Sequence, residues 1–247
     1  MTATRLESRA VIRLTPLAEG ESPAQFLQGL LTNDVTGPLP AYAALLSAQG
    51  KTMFDMIVWP GPASEHGDTI LLDYESAVAD DLVKRLSLYR LRRKIDIARD
   101  ESLSVHWSAE ADDNHPADPR LPALGHRWFA EADDSEAADD GWRAHRLSHG
   151  VPEGQAELAD ILWLETNAVE LNGVSFSKGC YIGQENTARM NWRQKVNRRL
   201  VVVPLERSEE KRRKAEYPDL GLAVDHLRVS DIPAELVPEW MRLEAAE

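Results

Sequence analysis

The sequence predicts an α+β fold of several small modules, and three observations predict it. Short β-rich runs dominate, each bounded by turn-forming residues. At least two amphipathic helices stand among them in the first 107 residues, without the strict strand–helix alternation of a parallel sheet. Polar, proline-containing and acidic stretches at 108–120 and 131–140 then interrupt the chain. The expected parts are 1–107, a central α+β part over 108–194, and a short C-terminal part over 195–247.

Arg9–Leu14 (RAVIRL) alternates like a strand. Ser22 and Gln25 form a capping box, and Phe26, Leu27, Leu30 and Leu31 supply the stripe of a first helix. TNDVTGP stops it. Tyr42–Ser47 and Met53–Trp59 read as a hairpin turning at Gln49-Gly50-Lys51. Thr69–Asp73 is a further strand. Ser76–Tyr89 is the clearest helix, with Val78, Leu82, Val83 and Leu86 on one face. Ile95–Ala98 and Leu103–Trp107 are strands. Residues 108–120 are expected as a surface loop, with order resuming over Leu121–Phe129 and Trp142–His149. Gly183–Met190 begins a helix; Leu200–Leu205 and Leu220–Val229 are strands. A solvated stretch over 209–219 and a peripheral helical tail complete the expectation.

With 43% hydrophobic residues in 247, the chain can fill a core. No apolar run approaches the roughly 20 residues that cross a bilayer. The first 15 residues carry three arginines and Glu7 without an apolar segment behind them, so no signal peptide is expected. A single cysteine cannot form an internal disulfide, which fits a reducing compartment. A cytoplasmic monomer is the expectation. The net charge of −13 argues against direct nucleic-acid or membrane binding. Basic residues nevertheless gather at 90–94 (RLRRK) and 189–199 (RMNWRQKVNRR).

Gly50-Lys51-Thr52 is no P-loop, since Leu45 stands where that loop needs a glycine and a strand follows. Gly173-Val174-Ser175-Phe176-Ser177 lacks the last glycine of a nucleophile elbow. The histidines show no metal-ligand spacing, and one cysteine cannot hold an iron–sulfur cluster alone. No stably bound metal is expected.

Residues 178–185, KGCYIGQE, hold that one cysteine. Glycines at 179 and 183 permit unusual backbone angles and close approach. Lys178, two residues before Cys180, is placed to lower the thiol pKa. Gln184 and Glu185 offer donors and acceptors at a helix start, suited to the amide-like edge of a pterin or purine.

KGCYIGQE, with TARM (187–190) and KVNRRL (195–200), closely resembles the signature of the YgfZ family. These are folate-binding proteins of iron–sulfur cluster maintenance, related to the glycine cleavage T protein, an aminomethyltransferase. FLQGLLTNDV (26–35), LLSAQGKTMFDMIVW (45–59) and LRRKIDI (91–97) also resemble family segments, spreading the match over about four-fifths of the chain. The resemblance implies modules around a central cavity for tetrahydrofolate or its polyglutamate. KGCYIGQE would border it, bringing Tyr181, Gln184 and Glu185 to the ligand, with Glu185 bonding the pterin. Asn33 and Asp34 would face the same cavity. Arg189 would meet the glutamate tail, and Cys180 and Lys178 would carry the working chemistry.

Two functions compete under that resemblance. One is a folate-binding helper for iron–sulfur enzymes or cluster-assembly proteins, affecting tRNA modification only indirectly. The other is an aminomethyltransferase. The hairpin favours the helper. T-protein relatives resemble GGxxDD there, whereas this chain has Gly50-Lys51-Thr52-Met53-Phe54-Asp55; Asp55 survives, but Phe54 accepts no proton. ERSEEKRRKAEYPD (206–219) stands where relatives carry glycine-rich hairpins, so a truncated barrel-like end is expected.

Overall fold

The computed structural model describes residues 3–243 apart from 111, 194 and 195. Its elements run β1 (Arg5–Leu6), β2 (Arg9–Pro16), α1 (Pro23–Gln28), β3 (Ala41–Leu46), β4 (Thr52–Ser64), β5 (Gly67–Glu75), α2 (Ala79–Arg90), β6 (Ile95–Arg99) and β7 (Leu103–Ser108). β8 (His126–Glu131), α3 (Asp139–Ser148), α4 (Gln155–Leu158), α5 (Gln184–Arg193), β9 (Arg198–Pro204), β10 (Arg213–Tyr217) and β11 (Leu222–Arg228) complete the order. The α+β expectation holds.

A five-stranded antiparallel sheet, ordered β3-β4-β5-β2-β6, forms the centre. Alternation along its strands sends Ile12, Leu14, Leu45, Met56 and Leu72 to one face, under α1 and α2. Val11, Tyr42, Leu46, Ile57 and Trp59 face the other way, toward Trp107, Trp142 and Trp163. Both faces are buried, so runs such as AYAALL need no polar alternation. Ser22 caps α1, its hydroxyl accepting from Gln25 N. Leu30 and Leu31 fall beyond that helix yet remain in the core. β1 and β7 leave the central sheet and pair with each other, and β7 also pairs with β8.

The second face also carries charge. Arg9 and Asp73 lie on it, 2.5 Å apart, and Arg127 from β8 reaches Asp73 at 2.6 Å. Arg120 bonds Asp118 at 2.6 Å and Glu153 at 2.5 Å, and Arg146 on α3 bonds Glu157 at 2.6 Å. These groups are buried or nearly so, and each charge is paired. They correct the expectation of a surface loop over 108–120. That segment looks solvated because it is polar, but Asp118 and Arg120 are fully buried against partners from distant elements.

The C-terminal sheet is ordered β10-β11-β9 and is open, with no closed barrel among the described residues. Arg213–Tyr217, within the stretch expected to be solvated, is a strand. Its long charged side chains leave their backbone free to pair with β11, while Tyr217 turns inward to Glu157. The tail forms two short 3-10 turns, Val229–Asp231 and Ala234–Leu236, in place of a helix. It is anchored rather than peripheral: the Trp240 indole donates to His149 O at 2.7 Å, and Met241 is buried. No helix among the described residues is long and apolar enough to cross a membrane.

Candidate functional site

The KGCYIGQE segment is a loop pinned at both ends. At its start, the Lys178 ammonium donates to three backbone carbonyls, those of Gln28 (2.7 Å), Leu31 and Asn33 (2.9 Å). These oxygens close the end of α1 and the turn behind it, where helix carbonyls lack intrahelical partners. An ammonium has three N–H donors, and all three are used here. Burial pushes the Lys178 pKa down to about 8, with the nearby Asp34 carboxylate opposing. The ammonium is thus directed at backbone, where the sequence suggested a thiol neighbour. Upstream, Ser175 N donates to Thr32 O at 3.0 Å.

At the far end, Gly183 has φ +82°, and a Cβ there would lie 2.6 Å from Ser47 O. Close approach of this turn to the β3–β4 hairpin therefore requires glycine. Gly50, φ +77°, faces it, and Asn186 Nδ2 donates to Gln49 O at 2.8 Å. α5 springs from this contact. Gly179 is different: nothing lies within 4 Å of its would-be Cβ, and its φ is not positive. Between the pins, Tyr181 turns into the core and Lys178 lies over its ring at 5.1 Å. Burial raises the Tyr181 pKa. Cys180 is left exposed as a free thiol.

The remaining candidates take separate places. Asn33 Nδ2 donates to Tyr42 O and Asn172 O, at 2.8 and 2.7 Å. Asp34 accepts from Thr36 and Gln28, which lowers its pKa. These two residues shape the turn that Lys178 clamps. Gln184 is half-buried at the first position of α5. Glu185 points into solvent, its side chain 91% exposed, and pairs with Arg189 at 3.4 Å. Asp55 is buried apart from the loop beneath the Tyr42 hydroxyl, which donates to it at 3.3 Å. Desolvation pushes the Asp55 pKa up to about 6, against the pull of Arg9 and Arg120.

A cavity of about 960 Å³ opens between the last turn of α5, β9 and the tail. Met190 and Trp240 supply apolar lining, and Arg198, Arg199, Arg228 and Arg242 supply charge. Arg199 is paired with Glu170 at 3.1 Å, yet its Nε is buried with no partner. Arg198, Arg228 and Arg242 make no ion pair among the described residues. None of the nine residues singled out from the sequence lines this cavity. The sequence reading also missed a half-buried pair, His226 Nε2 and Glu165 Oε2 at 3.0 Å. The only early signal for the cavity was the arginine pair in KVNRRL, whose Lys195 lies outside the described residues. Among the described residues, no group of three or more His, Cys, Asp or Glu side chains is placed to hold a metal.

No protein-family model matches the chain. It is 34% identical over 243 residues to the mitochondrial iron–sulfur cluster assembly factor IBA57 of Mus musculus, an alignment covering 83% of this chain and 66% of the relative. The Homo sapiens protein of that name is 35% identical over 238 residues, covering 81% and 65%. A homologue from Neurospora crassa is 32% identical, covering 80% and 52%. The alignment thus takes up about two thirds or less of these relatives. All three are named as mitochondrial, which overturns the cytoplasmic placement expected from the sequence. Among solved structures, the glycine cleavage aminomethyltransferase T of Bartonella henselae matches with a TM-score of 0.58 at 13% identity. It covers 92% of this chain and 78% of that one, and it shows a shared fold.

Proposed function

We propose that this chain, a homologue of the IBA57 iron–sulfur cluster assembly factors built on the aminomethyltransferase T fold, serves iron–sulfur cluster assembly through the thiol of Cys180. The observation that carries the reading is the exposed sulfur on a loop fixed at both ends. A soft sulfur donor suits iron. One thiol cannot complete a cluster's coordination, so the other ligands come from a partner or client protein. Lys178 holds the loop and keeps its position relative to α1.

Tetrahydrofolate belongs, in this reading, to the 960 Å³ cavity, whose size lies within the range of small-molecule sites. Its donor set fits: Trp240 and Met190 offer surface to a flat ring, and the arginines suit carboxylates. The unpartnered Arg199 Nε awaits an acceptor. Aminomethyl transfer is supported by the fold alone. Phe54 and Asp55 are both buried, so neither position of the hairpin offers a solvent-facing carboxylate.

Complementation of a strain lacking its own copy tests the thiol. Cys180→Ala is expected to leave iron–sulfur enzymes inactive; full rescue would return Cys180 to a passive surface residue. Titration with tetrahydrofolate is expected to show micromolar binding that weakens at least tenfold in Arg228→Ala. Absence of binding at millimolar ligand would remove the folate assignment.

A further inference from the structure

Two exposed aromatic rings stand beside the thiol loop. Phe176 precedes Cys180 by four residues and is 37% exposed; Trp192, in the last turn of α5, is 74% exposed. Their centroids lie 6.5 Å apart with planes at 66°, so the contact bridges the loop and the helix across the surface. Single exposed hydrophobes are ordinary, but a joined pair of large rings, one of them four residues before the thiol in the chain, is not. Rigid aromatic rings bury much area at small entropic cost, which is why Trp dominates the energetic centres of interfaces.

The surrounding charge selects the occupant. Along the sequence, residues 189–199 hold five cations and no carboxylate, in a chain whose net charge is −13; Arg199 among them is buried against Glu170, while Arg198 makes no ion pair among the described residues. Of these residues, 194 and 195 lie outside the described part. Arg189, one turn before Trp192, is tied among the described residues only to the solvent-exposed Glu185, so a partner's carboxylate can replace that contact at little cost. A basic spot on an acidic body attracts an acidic face, while the like-charged remainder disfavours a second copy of the chain.

We propose that Phe176 and Trp192 form the docking anchor for an acidic protein partner with an apolar centre, which brings its cargo to Cys180. The proposal rests on the reading of Cys180 above and names the surface and partner chemistry which that reading leaves open. Phe176 and Trp192 act on affinity, and Cys180 acts on the step after docking.

Graded expression in the complementation strain separates the two. Phe176→Ala and Trp192→Ala are each expected to need about 30-fold more protein for half-maximal iron–sulfur enzyme activity, the size of an interface hot spot, and then to reach the wild-type plateau. Cys180→Ala is expected to fail at every level; its rescue would sink the thiol reading without touching the shift seen for the aromatic variants. Trp192→Arg is expected to retain at least tenfold more activity than Trp192→Asp. Unchanged thermal midpoints, and an unchanged rate of Cys180 modification by a small thiol reagent, show that the variants are folded. Absence of any shift, or equal loss for Arg and Asp, would overturn the proposal. So would self-association of the wild type, abolished by Trp192→Ala in sedimentation, which would assign the patch to a second copy.

Discussion

Lys178→Met removes the ammonium while nearly preserving the length of the side chain, and so isolates the clamp. Three carbonyls lose their donor: those of Gln28, Leu31 and Asn33. A bond from a charged donor contributes about 2 kcal/mol, so the clamp as a whole is worth roughly 6 kcal/mol before its cost is counted. The cost is burial of the ammonium. A fall in pKa from 10.5 to about 8 corresponds to roughly 3.4 kcal/mol against the charged form. The variant is therefore expected to lose about 3 kcal/mol, an order-of-magnitude figure. In a chain of this size that lowers the thermal midpoint by about 6–12 °C.

The proton matters to the clamp: the ammonium supplies three N–H donors, whereas the neutral amine would leave two donors for three carbonyls. Urea unfolding of both proteins at pH 7.5, below the Lys178 pKa of about 8, measures the gap, and the wild-type advantage should be present there. A variant within 1 kcal/mol of wild type at pH 7.5 would show that these carbonyls need no ammonium and would refute the clamp.

Asp55→Asn should change stability in a pH-dependent way, because burial raises the native pKa from 3.8 to about 6. The native state then holds the proton longer, so this group's contribution falls as pH rises from about 4 to 6. The stability of Asn relative to Asp should improve by about 3 kcal/mol over that range in urea titrations; a constant difference would contradict it. Glu153→Gln should cost about 3–5 kcal/mol, read as a fall in thermal midpoint, since Arg120, Arg9, Arg127 and Arg146 surround that carboxylate and hold its pKa far down. The two motif glycines should part company. Gly183→Ala meets Ser47 O at 2.6 Å from a positive φ and should cost at least about 2 kcal/mol, whereas Gly179→Ala should stay within about 0.5 kcal/mol.

Local rules made much of the fold legible. Ser22 and Gln25 announced the cap of α1, the Gly50 turn announced the hairpin, and apolar runs marked the central strands. Those rules act within a few residues. They failed where a charged segment is satisfied from afar: Asp118 and Arg120 read as solvated because their partners, Arg127 and Glu153, lie elsewhere in sequence. A warning was present in Arg9 and Asp73, charges that share a strand face with the apolar Val11 and Leu71. β10 was hidden in the same way, its charged side chains masking a backbone that pairs.

At the site the divergence has a single cause. Sequence spacing puts Lys178 two residues from Cys180, which reads as an activating cation. The loop turns that side chain back to α1, and three carbonyls consume its donors. Glu185 likewise reads as a ligand to a pterin, but the first turn of α5 carries it into solvent beside Arg189. What the motif builds is therefore a rigid mount: Lys178 and Gly183 fix the two ends, Tyr181 roots the middle in the core, and the sulfur projects. A mount of that kind lowers the cost of meeting a partner in one fixed orientation, because the loop has already lost the freedom that docking would otherwise remove.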